Sequence, residues 1–163
     1  MKVVYVDLDR CLACLSCQRI CTFQQLSRSQ DADPNIRVQV DMDQRLILTH
    51  TCRQCASAPC IGSCPAEAMA RDPRTGAVVV HGARCTGCGL CIMACPYGNV
   101  HLMPNLRVAA KCDLCGGDPQ CVQVCMAQAL HYGDIHELIR KKREGSQGSL
   151  ALDVINKKTT TSD

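Results

Sequence analysis

The chain has 163 residues, sixteen of them cysteine, with one Phe, three Tyr and no Trp. So little aromatic mass cannot fill an ordinary core, and much of the 47% hydrophobic content is cysteine itself, so something other than side chains must share the interior. The formal charge of +3 comes with no helix-turn-helix spacing and no RNP-type aromatic pattern, which argues against a nucleic-acid partner, and no run approaches the roughly 18 uncharged apolar residues of a membrane span.

Residues 3–7 alternate as a strand and lead into Cys11, Cys14, Cys17 and Cys21, spaced C-x2-C-x2-C-x3-C and followed by Thr22. Residues 20–26 are expected to finish a short helix, and residues 27–35 to form a polar loop closed by Pro34. Residues 36–40 and 45–49 should pair as a hairpin around the turn at 41–44. The second motif is Cys52, Cys55, Cys60 and Cys64 followed by Pro65, its middle loop lengthened by Ala58-Pro59. A short helix over 66–70, a turn at 73–76 and a strand over 77–81 are expected next. The third motif, Cys85, Cys88, Cys91 and Cys95 followed by Pro96, leads into a bend and strand over 97–102. Residues 104–110 connect to the fourth motif, Cys112, Cys115, Cys121 and Cys125, with Met126 in the proline position. A last short helix and strand should occupy 127–131. Residues 134–144 form a charged helix with Ile135, Leu138 and Ile139 on one face. The tail is polar and disorder-like, except for an apolar patch at 150–155.

The motifs begin at 11, 52, 85 and 112, so the chain is an irregular fourfold repeat. All sixteen cysteines fall within it. Spacing of this kind, with Pro after the last cysteine, is that of iron–sulfur ligation. In the third motif Gly87 and Gly89 leave room for backbone to lie against inorganic sulfide. Cys91 and Cys95 are four apart, so one helical turn sets them about 5–6 Å from each other. The displaced fourth thiolate is then placed for a different, neighbouring cluster. Zinc sites use two C-x2-C pairs across a longer loop, and each motif here over-supplies a tetrahedral ion. Disulfides belong to oxidising compartments, and the N-terminal residues show no apolar signal-peptide core. Bound cysteines are thiolates, so four oxidised cubanes at roughly −2 each would move the charge from +3 to about −5. Lys111 is a candidate for compensating that charge, Asp113 for supporting a turn, and Tyr97 for packing against a cluster. The histidines at 50, 81, 101, 131 and 136 have no ligand spacing and read as surface or packing residues.

From the first motif to about residue 132 the chain resembles the four-cluster ferredoxin-like electron-transfer subunits of anaerobic oxidoreductases. That family includes iron–sulfur subunits of molybdenum and tungsten enzymes, formate dehydrogenases, hydrogenase complexes and carbon monoxide dehydrogenase. The segments CRQCASAPCIGSCP (52–65), CTGCGLCIMACPYG (85–98) and KCDLC (111–115) carry the resemblance. It implies an α+β fold of tandem bacterial-type dicluster ferredoxin-like units, with short strands and helices around four [4Fe–4S] clusters. One unit would combine residues 1–30 and 104–132, the other residues 51–103, with a hairpin insertion at 31–50 and a C-terminal helix and docking tail at 133–163. Motifs pair first with fourth and second with third in that family, each lending its last cysteine to its partner's cluster. The implied first ligand set is Cys11, Cys14, Cys17 and Cys125, and the second is Cys112, Cys115, Cys121 and Cys21. The third is Cys52, Cys55, Cys60 and Cys95, and the fourth is Cys85, Cys88, Cys91 and Cys64. Thr22 and Met126 depart from the family's proline.

With every cysteine committed and no Gly-rich nucleotide loop or catalytic constellation left over, the expected role is a non-catalytic cytoplasmic wire. It would relay single electrons between a catalytic subunit and an acceptor. The resemblance points to a tungsten or molybdenum enzyme oxidising aldehyde or formate, nearest the small subunit of tungsten-dependent aldehyde oxidoreductase. A flavin subunit and head-to-tail self-association are further expected contacts. The alternatives are an iron–sulfur redox sensor, a cluster-delivery scaffold, or a partner of hydrogenase or carbon monoxide dehydrogenase.

Overall fold

The structure, a computed structural model, describes residues 1–27, 32–103 and 105–144. The 150–155 patch and the rest of the tail from 145 onward lie outside the described residues, as does part of the 27–35 loop. In chain order the elements are β1 Lys2–Val6, α1 Ser16–Leu26, β2 Arg37–Asp41, β3 Leu46–His50, α2 Pro59–Gly62 and β4 Met69–Arg71. There follow β5 Val78–Val80, α3 Leu90–Ala94, β6 His101–Met103, β7 Val108–Ala110, α4 Gln120–Gln123 and β8 Leu130–Asp134. A last helix, α5, covers 135–144. Single turns of 3-10 helix at Leu8–Arg10 and Gly82–Arg84 adjoin cysteine loops, and Leu114–Gly117 is a tight run of positive-φ residues beside Cys112.

Every sheet is a two-stranded antiparallel ribbon: β1 with β8, β2 with β3, β4 with β5, β6 with β7. Such ribbons are marginal alone, so their stability must come from what they cover. The β1–β8 ribbon joins the two ends of the described fold, with Val4 opposite Tyr132. Two small cores lie beneath the ribbons. One gathers Val4, Ile36, Ala77, Leu114 and Leu130, with Cys17, Cys21, Cys112, Cys121 and Cys125 against it. The other gathers Ala58, Cys60, Met69, Val78, Cys91, Val100 and Ala109, with Cys64, Cys85 and Cys95 against it. Strand β5 is the wall between them. Side chains alternate across a strand, so Ala77 and Val79 meet the first core while Val78 and Val80 meet the second.

Helix packing follows the same division, with α1 against α4 and α2 against α3. The expected 36–40/45–49 hairpin is present as β2–β3, and α5 agrees with the charged helix to within one residue. Leu138 of α5 lies against Gly133, and Lys142 bonds Asp7 at 2.9 Å. No helix among the described residues is long and apolar enough to cross a membrane.

Three expectations fail. Residues 66–70 are not a helix but a turn running into β4. Ala-Glu-Ala-Met favours a helix locally, yet the ladder to β5 and burial of Ala68 and Met69 to 1% and 3% exposure decide the outcome. Residues 127–131 likewise hold a turn and the start of β8, with no helix, because Ala129 accepts a hydrogen bond from the Asp7 amide and Leu130 pairs with Val6. The 104–110 connection contains β7, which pairs with β6 and places Ala109 in the second core.

Candidate metal centres

One backbone feature recurs in all four motifs. The residue immediately before the second cysteine is left-handed: Ala13 at φ 51°, Gln54 at 50°, Gly87 at 69° and Leu114 at 59°. Three of these carry side chains that resist that conformation, at roughly 1–2 kcal/mol each. For Leu114 the offset is visible. It is fully buried, which contributes about 1.5–3 kcal/mol and outweighs the strain. At Gly87 the requirement is different, since a Cβ there would stand 2.3 Å from the Arg107 carbonyl oxygen. The glycine is there to let the β6–β7 turn approach the cysteine loop.

A second feature recurs after the fourth cysteine. Glu67, Gly98 and Gln128, each three residues beyond, are also left-handed. That reversal aims the next backbone N–H back at the thiol. Ala68 N donates to Cys64 Sγ at 3.2 Å, Asn99 N to Cys95 Sγ at 3.4 Å and Ala129 N to Cys125 Sγ at 3.3 Å. Met126 therefore keeps the turn without proline. Motif one breaks the pattern. With Thr22 in place of proline, α1 runs on to Leu26, and Thr22 Oγ1 donates to the Gln18 carbonyl at 3.2 Å. The amide that reaches Cys21 Sγ is Asn35 N, at 3.2 Å, from the start of the hairpin segment. The hairpin's Thr49 hydroxyl also lies 3.6 Å from Cys11 Sγ.

The thiols gather into the following neighbourhoods. Cys52, Cys55, Cys60 and Cys95 line one hollow. Cys85, Cys88, Cys91 and Cys64 line a second. Cys112, Cys115, Cys121 and Cys21 line a third. The shared four-sulfur lining points to one kind of guest. Cys17 is pushed up to about 11 by burial, with Cys11, Cys14 and Cys125 adding repulsion, and Cys17 and Cys125 pack against the same core. Burial likewise pushes Cys121 up to about 12, with Cys21, Cys115 and Cys17 adding to it. Burial raises Cys91 too, with Cys85, Cys64 and Cys88 among its repulsive neighbours. Cys64 runs the other way: burial alone would raise it, but the amides of Met69, Ala68 and Ala66 outweigh that. Buried thiols that repel one another stay protonated unless a cationic centre holds them as thiolates.

This donor set suits a [4Fe–4S] cluster. Its ligands are sulfur, its surroundings apolar, and backbone N–H groups point at the sulfurs. Among the described residues no three His, Cys, Asp or Glu side chains converge as ligands of a single ion.

Other expected residues also find their places. Asp113 Oδ1 accepts from the Cys115 amide at 2.9 Å, the turn-supporting role. Tyr97 lines the Cys52–Cys95 hollow, half-exposed, with the Arg53 guanidinium over its ring. His131 stacks on Tyr5, His50 bonds Gln39, and His101 is part-buried with its pKa lowered by that burial and by Arg37. Sequence reading missed Gln54. It is wholly buried, and it donates to the Cys112 carbonyl and accepts from the Val78 amide, both at 2.9 Å. Its only signal was a polar residue at the left-handed position of motif two.

Comparison with known families and proteins agrees with this geometry. The family described as "4Fe-4S dicluster domain" matches residues 43–135, and the one described as "4Fe-4S binding domain" matches residues 8–24. The polyferredoxin-like subunit of aliphatic sulfonate oxidoreductase from Pyrococcus furiosus is 37% identical over 123 residues, 75% of this chain and 70% of that protein. The thiosulfate reductase electron transfer subunit PhsB of Salmonella typhi is 34% identical over 150 residues, covering 83% and 77%. A tetrathionate reductase subunit of Salmonella typhimurium is 32% identical over 148 residues, covering 81% and 57%. The chain belongs to the 4Fe–4S dicluster family.

Proposed function

As a member of the 4Fe–4S dicluster family, this chain is, we propose, a four-cluster wire serving a separate catalytic oxidoreductase subunit. The ligand sets are those the family pairing implies: Cys11, Cys14, Cys17 and Cys125; Cys112, Cys115, Cys121 and Cys21; Cys52, Cys55, Cys60 and Cys95; Cys85, Cys88, Cys91 and Cys64. The observation that carries this reading is the three hollows, each lined by four thiols drawn from two motifs. Each bound cluster supplies a one-electron couple. The chain's own residues fix where the couples sit. Reciprocal exchange of last cysteines ties neighbouring sets through the α1–α4 and α2–α3 contacts, buried thiols keep water away, and amide donors to sulfur favour the reduced state.

The sets follow one another in a line. Cys121 of the second set feels Cys17 of the first, and Cys112 of the second feels Cys52 of the third. The third and fourth share the core that holds Cys60 and Cys91. Electrons pass along this line between the catalytic subunit and an acceptor, a flavin subunit among the candidates, in the cytoplasm. For the partner's chemistry, a tungsten or molybdenum centre oxidising aldehyde or formate stands beside the sulfonate, thiosulfate and tetrathionate reactions named in the relatives. Residues 133–163 are the docking arm for the partner or a second copy.

The test is anaerobic iron analysis combined with Cys21→Ser. Wild type should hold about sixteen irons. The substitution should perturb the cluster bound by Cys112, Cys115 and Cys121, leaving the motif-one triplet's cluster intact by EPR. A variant that loses only the motif-one cluster would refute the reciprocal pairing.

A further inference from the structure

The junction between the two units holds a charge. Lys111 is 3% exposed, and its ammonium donates to the Val78 carbonyl, to the Cys112 carbonyl at 2.9 Å and to Gln54 Oε1 at 3.5 Å. Three acceptors converge on one nitrogen. An ammonium has three N–H donors, whereas a neutral amine has two and a lone pair that would face one of these oxygens. The surroundings are thus built for the charged form.

Lys111 touches both middle sets. Its side chain lines the hollow of Cys52, Cys55, Cys60 and Cys95, and its ammonium is bonded to the backbone of Cys112 in the neighbouring set. Burial raises Cys60, and Lys111 is the first influence opposing it. Burial raises Cys112 as well, with Lys111 among the groups acting against it. Gln54 completes the device. It shares the Cys112 carbonyl with Lys111 and ties it to β5 through the Val78 amide, so the cation cannot swing out to solvent without breaking a buried network.

Resting on the four-cluster reading, we propose that Lys111 is a fixed positive charge between the second and third ligand sets that raises the reduction potentials of their two clusters above what the hollows alone would give. Reduction adds one negative charge to a cluster, and a buried cation nearby favours the form with more negative charge. The amplitude is large because little water intervenes. The middle of the wire becomes the easier part to reduce, so an electron entering at either end is drawn inward. Lys111 acts as a positioning and tuning residue, with no bond to iron.

The test compares full-length, anaerobically loaded wild type, Lys111→Met and Lys111→Arg by iron content and EPR-monitored redox titration. Lys111→Met should keep its iron and move two of the four midpoints to more negative values, leaving two unmoved. Lys111→Arg should leave all four near wild type. If Lys111→Met fails to load, the proposal stands only when Lys111→Arg loads with wild-type midpoints; loss of iron from both variants would assign Lys111 a packing role and overturn it. Unchanged midpoints in a loaded Lys111→Met protein, or an equal shift of all four, would also overturn it. Wild-type iron far below sixteen per chain would instead sink the four-cluster reading, independently of the variants.

Discussion

At the scale of single residues, the left-handed position before each second cysteine separates two reasons for glycine. Ala13 occupies it in motif one and Gln54 in motif two, so the backbone conformation alone does not demand glycine. Gly87 is required by a neighbour, the Arg107 carbonyl. Gly89 is also left-handed, but nothing lies within 4 Å of where its Cβ would be, and Leu15 holds the equivalent place in motif one. Gly87→Ala should therefore cost roughly 2–5 kcal/mol, combining strain with overlap, and should weaken iron retention at Cys85 and Cys88. Gly89→Ala should cost only about 1–2 kcal/mol. Denaturant unfolding under argon, with iron counted in each variant, checks this; equal losses would show that conformation, not the Arg107 contact, governs Gly87. The sequence made the four motifs legible because ligand spacing is a covalent constraint. It suggested sulfide as the reason for Gly87 because the close approach of a carbonyl twenty residues away leaves no local trace.

At the scale of elements, legibility depended on whether local preference and tertiary pairing agreed. The β2–β3 hairpin and α5 were readable because alternation and an amphipathic face signal them locally. The stretches after Cys64 and Cys125 were not, because a left-handed residue and a ladder to a distant strand override helix-favouring side chains there. Helix α1 is the converse case. It continues past Cys21 because Thr22 keeps the backbone N–H that proline would remove. Thr22→Pro would bring motif one closer to the other motifs in sequence yet should destabilise the protein by about 3 kcal/mol. The lost stretch of α1 carries buried Gln25, and Gln18, one turn before Thr22, holds the hairpin through the Val38 amide at 2.9 Å. Anaerobic thermal unfolding of the iron-loaded variant measures the cost. A Thr22→Pro protein as stable as wild type would mean that α1 ends at Cys21 in solution and that the Asn35 amide is not needed on that thiol.

At the scale of the whole molecule, solvent reaches the two ends of the proposed line of ligand sets more readily than its middle. Of the sixteen thiols only Cys14 and Cys88 are exposed, and they belong to the first and fourth of the proposed sets. Cys14 is also held below the ordinary thiol value by hydrogen bonding to Ser16. The side chains flanking these outer sets are apolar and uncovered: Leu12 and Met126 at 74% and 83% exposure, and Met93 at 86%. The middle sets hold no exposed thiol and include buried Cys52 and Cys60, while the fourth set pairs buried Cys91 with exposed Cys88; the Lys111–Gln54 network lies between the middle sets. A small oxidant reaches a cluster through its exposed ligands, and solvent exposure governs such access. Exposure of the loaded protein to limited oxygen should thus release iron in two phases of comparable size, the faster from the outer pair. The residual clusters after the first phase should be those whose EPR signals change in Lys111→Met. One uniform phase, or loss of the Lys111-sensitive clusters first, would contradict a line with its protected half in the middle. The same arrangement explains why an apolar core so small suffices: the interior is organised around sulfur-lined hollows, and the side chains supply the walls between them.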